Sequence, residues 1–284
     1  MNFGKTIRLF LIEGDPNGRW ACELSNWNGK AYKIPRTKVK ECDDRGDLNN
    51  TGIYLLLGKD EENNELIYLG EAENILKRLS QHLIQKDFWN EVIVFVSKDN
   101  NLNKAHAKYL EFRLHEIAAK CGRYVIQNGN TPTPSTISES DTAEMEEFIQ
   151  NLRLLTNTLG HKVFEDKVES IFQTASNQIK KFYLKAARGA DAIGMPTSDG
   201  FVVLKNSKAT LDTVNSITPS FLKKRDQLIS KGVLSRLESF YVFSEDYIFS
   251  SPSLAAVMVM GRNANGLTEW KSEEGLTLKD YESI

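Results

Sequence analysis

The chain has 284 residues, 40% of them hydrophobic and 26% charged, a balance that excludes a disordered polymer and suits one or two globular domains. A formal net charge of −2 excludes a protein that coats nucleic acid by bulk charge, although phosphate contacts need only local basic surfaces. No stretch approaches the roughly 18 uninterrupted apolar residues of a membrane span, and Cys22, Cys42 and Cys121 form no CxxC pair, so reduced thiols in a cytoplasmic protein are expected.

Residues 6–12 (TIRLFLI) form an apolar run that Arg8 interrupts and Glu13 ends, with no small-residue cleavage site behind it. It reads as a strand, paired through the Gly14 to Gly18 turn with a second strand at 19–24. Lys30 to Ile34 is a further extended piece, ended by Pro35. With Trp27, Arg36, Lys38 and Lys40, these make an N-terminal β extension over 1–49 that either completes the next domain's sheet or guides a substrate.

GIYLLL (52–57) and ELIYLG (65–70) are short apolar strands joined by a polar, acidic loop, the pattern of an antiparallel hairpin. Residues 72–85 place Ile75, Leu76, Leu79 and Leu83 at helical spacing. EVIVFV (91–96) reads as a buried strand. Ala107, Leu110, Leu114, Ile117, Ala118 and Cys121 repeat at three and four residues, which predicts a second helix over 105–121. A Pro/Thr/Ser loop at 131–138 precedes an acidic-start helix that ends near Gly160.

Beyond Gly160 a lysine-dotted stretch (about 164–188) predicts a helical linker over 161–200. A strand at 201–205 opens a separate α+β unit, 201–284, with a helix at 219–230, a strand at 241–244 and a small-residue helix around 251–261. His106, His115 and His161 show no metal-ligand spacing, so zinc is not expected.

The ordered set Gly52-Ile53-Tyr54, Tyr68-Leu69-Gly70, Arg78, His82, Glu111 and Asn128, on hairpin, helix, strand and helix, resembles the GIY-YIG endonuclease family. The second motif reads Tyr-Leu-Gly in place of Tyr-Ile-Gly, a small apolar exchange. The resemblance implies an α/β nuclease domain over 50–160, a small antiparallel sheet flanked by helices, that hydrolyses DNA phosphodiester bonds with Mg2+ or Mn2+. It implies that Tyr54 activates the attacking water as phenolate while Tyr68 orders nucleophile and phosphate. A free phenol titrates near 10, so Arg78 is the expected cationic help and phosphate grip. His82 either moves a proton or binds phosphate. Glu111 is the implied metal carboxylate, its alternative being an ion pair with Lys104, Lys108 or His115. Asn128, with Asn130 as competitor, braces the metal water or the tyrosines.

Residues 201–280 resemble a domain of unknown function that follows GIY-YIG modules in bacterial proteins and accompanies restriction-modification components. The carriers are Gly200 to Lys205, Arg225-Asp226, Gly232 to Leu234, Phe249 to Ser253, Gly261-Arg262, Asn265-Gly266 and Trp270. Arg262, Asn263, Asn265 and Trp270, with Lys104 and Lys108 of the nuclease domain and basic residues such as Lys180, Arg188 and Arg225, are the candidate DNA-facing groups. Cutting both strands of a duplex is simplest for a homodimer. The alternative is a nuclease scaffold that holds DNA or recruits a partner without cutting.

Overall fold

The computed structural model describes residues 4–165 and 180–283. It is mixed α/β, with two sheets and several helices, and divides into two compact units, Met1–Lys167 and Val168–Ile284. Among the described residues no helix is long and apolar enough to cross a membrane.

The first unit is built on a seven-stranded sheet of order β1-β2-β3-β6-β4-β5-β7. Its strands are β1 (Ile7–Leu11), β2 (Trp20–Leu24), β3 (Gly29–Pro35), β4 (Gly52–Lys59), β5 (Glu65–Ala72), β6 (Trp89–Ser97) and β7 (Val125–Ile126). All neighbours are antiparallel except β5 and β7. Of the two roles open to residues 1–49, the structure shows the first: β3 pairs with β6 along seven residues, so the segment supplies three of the sheet's seven strands.

Strand alternation divides the core in two. Ile53, Leu55, Leu57, Ile67, Leu69, Ile93 and Phe95 face helices α2 (Lys104–Cys121) and α3 (Glu139–Thr158). Tyr54, Leu56, Val92, Val94 and Val96 face the other way, onto α1 (Ile75–Gln85) and a 3-10 helical segment, Arg36–Asp44. Each fully buried aliphatic or aromatic side chain contributes about 1.5–3 kcal/mol, so a one-residue slip of β4 would exchange two complete cores.

The Arg36–Asp44 segment is absent from the sequence expectation because 3-10 turns carry no long apolar period. Two arginines hold it. Buried Arg19, just before β2, binds Glu13, Asp44 and the Glu41 carbonyl. Arg36 donates to the Leu83 carbonyl at 2.9 Å and the Lys86 carbonyl at 2.7 Å, with its guanidinium 4.4 Å from the Trp89 ring centroid. It thereby caps the C-terminal end of α1, where carbonyls lack partners within the helix.

The second unit has strands β8 (Phe182–Ala186), β9 (Ala190–Thr197), β10 (Gly200–Val203), β11 (Lys208–Thr210), β12 (Leu234–Arg236), β13 (Phe240–Phe243) and β14 (Tyr247–Phe249). Helices Pro219–Ser230 (α4) and Pro252–Met260 (α5) accompany them, the latter buried on every side from Ala255 to Met260. The helical linker over 161–200 is corrected here. Residues 166–179 lie outside the described residues, and 182–197 form a β hairpin turning at Arg188 and Gly189, both with positive φ. Because β9 also pairs with β10, the unit's sheet begins before residue 201. Phe182, Leu184, Ala190 and Ala192 alternate into its core, a period of two that the intervening lysines obscure.

Replacing Arg36 by Ala leaves the α1 carbonyls without their donor, an expected loss of about 1–3 kcal/mol. Scanning calorimetry should show the first unit melting several degrees lower, and Arg36→Lys should restore little because an ammonium lacks the planar fork. An unchanged midpoint would show that water satisfies those carbonyls equally well.

Candidate active site

In the β4–β5 hairpin Tyr54 stands opposite Gly70. A Cβ on residue 70 would lie 2.3 Å from the Tyr54 hydroxyl oxygen, so the phenol occupies space that only glycine leaves open. Gly52 is equally constrained, since its Cβ would meet the Phe95 carbonyl at 2.5 Å. The terminal glycines of the two tripeptides are therefore packing requirements. Tyr68, two residues before Gly70 on the same face, stacks on Tyr54 with ring centroids 6.2 Å apart.

Helix α1 brings two more groups. Asn74 caps it by accepting from the Lys77 amide at 2.9 Å, and Ile75 and Leu79 anchor its buried face. Arg78 Nε donates to the Tyr54 hydroxyl at 3.3 Å and Nη1 to Gln81 at 3.0 Å. His82 lies one turn on, 1% exposed, its Nε2 2.9 Å from the same hydroxyl and its ring 5.4 Å from each tyrosine ring. With Arg78 donating to the Tyr54 oxygen, the hydroxyl proton is free to go to Nε2. The imidazole proton then sits on Nδ1, a buried atom with no hydrogen-bond partner among the described residues.

The electrostatics follow from burial. His82 is pushed down to about 4 by burial first, then by the Arg78 and Lys86 charges, so it is neutral at physiological pH. Tyr54 is 0% exposed, and burial raises its hydroxyl well above the ordinary value despite the Arg78 hydrogen bond. A phenolate is therefore disfavoured in the resting, metal-free site. Arg78 alone does not stabilise one in the resting site, because the desolvation cost is larger. Tyr68 and Arg78 are the half-exposed members of the cluster.

Glu111 lies on α2, on the opposite side of the sheet, half-buried beside β5. Burial and the neighbouring Glu71 carboxylate raise it to about 7, against the opposing pull of Arg78, Lys108 and the Glu71 backbone amide. Burial raises Glu71 as well. Tyr54, Arg78 and Glu111 thus act on one another electrostatically past β5. Glu71 is a site residue that the sequence reading missed, although its place directly after the Tyr-Leu-Gly tripeptide was a usable signal. Lys104 does not pair with Glu111, since it holds Glu73 at 2.8 Å. Lys108 is exposed.

Asn128 makes a two-sided clasp on β5, accepting from the Leu69 amide at 3.0 Å and donating to the Leu69 carbonyl at 2.8 Å. Its amide fixes the strand between Tyr68 and Gly70 and is occupied in doing so, while Asn130 is exposed. Among the described residues no group of three His, Cys, Asp or Glu side chains could enclose a metal. Two adjacent, partly desolvated carboxylates suit a hard cation that keeps most of its waters.

Residues 182–282 match DUF4357, a domain of unknown function. Comparison with curated proteins and with solved structures gives no match. The DUF4357 match begins at the first strand of the second unit's sheet, in agreement with the corrected boundary. Within this domain the proposed DNA-facing set breaks up. Trp270 is 0% exposed, packs on Phe201 with centroids 4.7 Å apart and donates to the Pro252 carbonyl at 3.0 Å, so it offers no face to a base. Asn265 caps the short helix Gly266–Glu269 and Arg262 pairs with Glu269 at 2.7 Å. Asn263 binds the Ser216 carbonyl. Arg225 is 2% exposed and donates to the Met258 and Thr210 carbonyls, while Arg188 reaches the Met260 carbonyl. These are fold contacts.

Two measurements check this geometry. Gly70→Ala drives a methyl into the Tyr54 ring and should cost about 1–3 kcal/mol, read as a lower melting temperature; if stability is unchanged, Tyr54 does not sit over residue 70. For Glu111, raised from 4.5 to about 7, the unfolded chain ionises first, so metal-free stability falls as pH rises from about 4.5 to 7. Glu111→Gln should therefore melt higher than wild type at pH 8 in EDTA, with the gap closing toward pH 4. A gap independent of pH would place its cause elsewhere.

Proposed function

We propose that residues 50–130 form a metal-dependent endonuclease centre of the GIY-YIG type that hydrolyses DNA phosphodiester bonds. The observation that carries this reading is the hydrogen-bonded Tyr54–His82–Arg78 network with Tyr68 stacked on it and the Glu111 carboxylate electrostatically coupled to it. Phosphodiester hydrolysis needs a proton acceptor for water, a cation on the phosphoryl oxygens and stabilisation of the departing oxygen. Tyr54, His82, Arg78 and Glu111 are the candidates for these roles.

Arg78 and Tyr68, the half-exposed members, are the first to meet a phosphate. As they turn toward it they uncover Tyr54. A proton taken from water by Tyr54 is matched by transfer of the phenol's own proton to neutral His82, so that no free phenolate accumulates. Such a relay suits a phenol whose ionisation is strongly disfavoured by burial. Glu111, with Glu71 beside it, would hold Mg2+ or Mn2+; bound there, the ion supplies charge neutralisation at the phosphoryl and leaving oxygens.

The complete burial of Tyr54 favours a second reading, a scaffold that holds nucleic acid without cutting it. Nicking of supercoiled plasmid in Mn2+ separates the two. Wild type should convert the plasmid to open circle, Glu111→Ala should not, and Tyr54→Phe should be slowed by at least 100-fold if the relay is general acid–base catalysis, which contributes about 10²–10⁴. Identical residual activity in wild type and Glu111→Ala removes the enzyme reading. Mn2+ should also raise the melting temperature of wild type but not of Glu111→Gln.

A further inference from the structure

Several cations of the first unit are committed to carboxylates: Lys104 to Glu73, Arg113 to Glu116 and Glu146, Lys33 to Glu91. Two beside the tyrosine pair are not. Arg78 is bound to a hydroxyl and an amide, and Lys86, half-buried at the C-cap, places its ammonium 4.3 Å from the Tyr68 ring centroid with no carboxylate within 4 Å among the described residues. Arg78, His82 and Lys86 follow one another at intervals of four, so they line one edge of the helix, with the backbone positions of Arg78 and Lys86 about 12 Å apart along its axis. Arg78 donates to the Tyr54 hydroxyl and also reaches Tyr68, while Lys86 lies over the Tyr68 ring. Arg36 grips the Lys86 carbonyl and so fixes where the side chain starts.

We propose that Lys86 holds the phosphate adjacent to the scissile one on the same strand, while Arg78 holds the scissile phosphate. The substrate this selects is a polynucleotide strand running along the α1 edge, rather than an isolated phosphodiester. Separation along the helix directs the two charges to different phosphates, and the aromatic face beneath Lys86 orients its ammonium without neutralising it, as a carboxylate would. The assignment rests on the nuclease reading above, and its test separates the two.

Lys86 is a positioning residue, tested in the full-length protein with Lys86→Gln and Lys86→Arg. The first arm is binding of a fluorescent duplex oligonucleotide in EDTA over a range of salt. Lys86→Gln should weaken binding and reduce the slope of log affinity against log salt by about 1, the contribution of one phosphate contact. Lys86→Arg should restore both. The second arm compares cleavage of that duplex in Mn2+ with hydrolysis of the p-nitrophenyl ester of thymidine 5′-phosphate, which has no neighbouring phosphate. Lys86→Gln should raise KM several-fold more for the duplex than for the ester, and Lys86→Arg should remove that difference. Equal effects on both substrates, or an unaltered salt slope with wild-type binding intact, overturn the assignment while leaving the nuclease reading in place. Binding with the expected slope change but no cleavage by wild type overturns the nuclease reading and retains Lys86 as a phosphate contact. No binding by wild type removes both.

Discussion

The Tyr54 phenol lies where a side chain on residue 70 would be, and much of the first unit is arranged around that exclusion. It requires β4 and β5 to pair with Tyr54 opposite Gly70. Once that register holds, Tyr68 must fall on the same face two residues back, and the next element after Ala72 must begin on that face too. Asn74 caps it there, so α1 descends beside the phenol and delivers Arg78 and His82 to its hydroxyl. One steric condition thus links strand register to side-chain chemistry. The Asn128 clasp on Leu69 secures the same strand from its outer edge, between the two residues whose positions matter most.

The N-terminal segment serves this arrangement from the other side. Arg19 fixes the Arg36–Asp44 turns through Glu13 and Asp44, and Arg36 in turn caps α1. A helix of eleven residues is marginal alone, because nucleation costs are spread over few hydrogen bonds. Its position therefore depends on packing and caps at both ends, and one of those caps comes from a segment that sequence alone allowed to be a mere appendage.

Local pattern made part of this legible. The hairpin, α1, β6 and α2 follow from apolar periods of two and of three to four, and the ordered residues Tyr54, Tyr68, Arg78 and His82 are brought together in space. Other parts were not legible, for physical reasons. The hairpin at 182–197 alternates Phe182, Leu184, Ala190 and Ala192 inward, but Lys181 and Lys185 stand four apart and alanines surround the turn, which imitates a helix. Trp270 and Asn265 look like recognition residues by type, yet one is core and the other a cap, a distinction set by tertiary contacts. Glu71 is marked only by its place after the Tyr-Leu-Gly tripeptide, since a single glutamate has no period. Its meaning comes from Glu111, forty residues away on another element.

Charge distribution separates structural from functional ionic groups. Arg225 is buried, but it spends its donors on the carbonyls of Met258 and Thr210, tying α5 to β11, and Arg188 does the same at Met260 and Asp212. Their charges are answered within the fold. Around Tyr54 they are not: Glu71 adds to the effect of burial on Glu111, His82 keeps a buried nitrogen without a partner among the described residues, and Arg78 and Lys86 stand beside aromatic rings instead of carboxylates. A fold optimised only for stability would pair or remove these groups, since buried polar atoms left unsatisfied are costly. An external anion and cation together would answer the charges gathered around Tyr54. That conflict is the physical ground for proposing that the chemistry lies at the edge of β5, since no single residue there carries it.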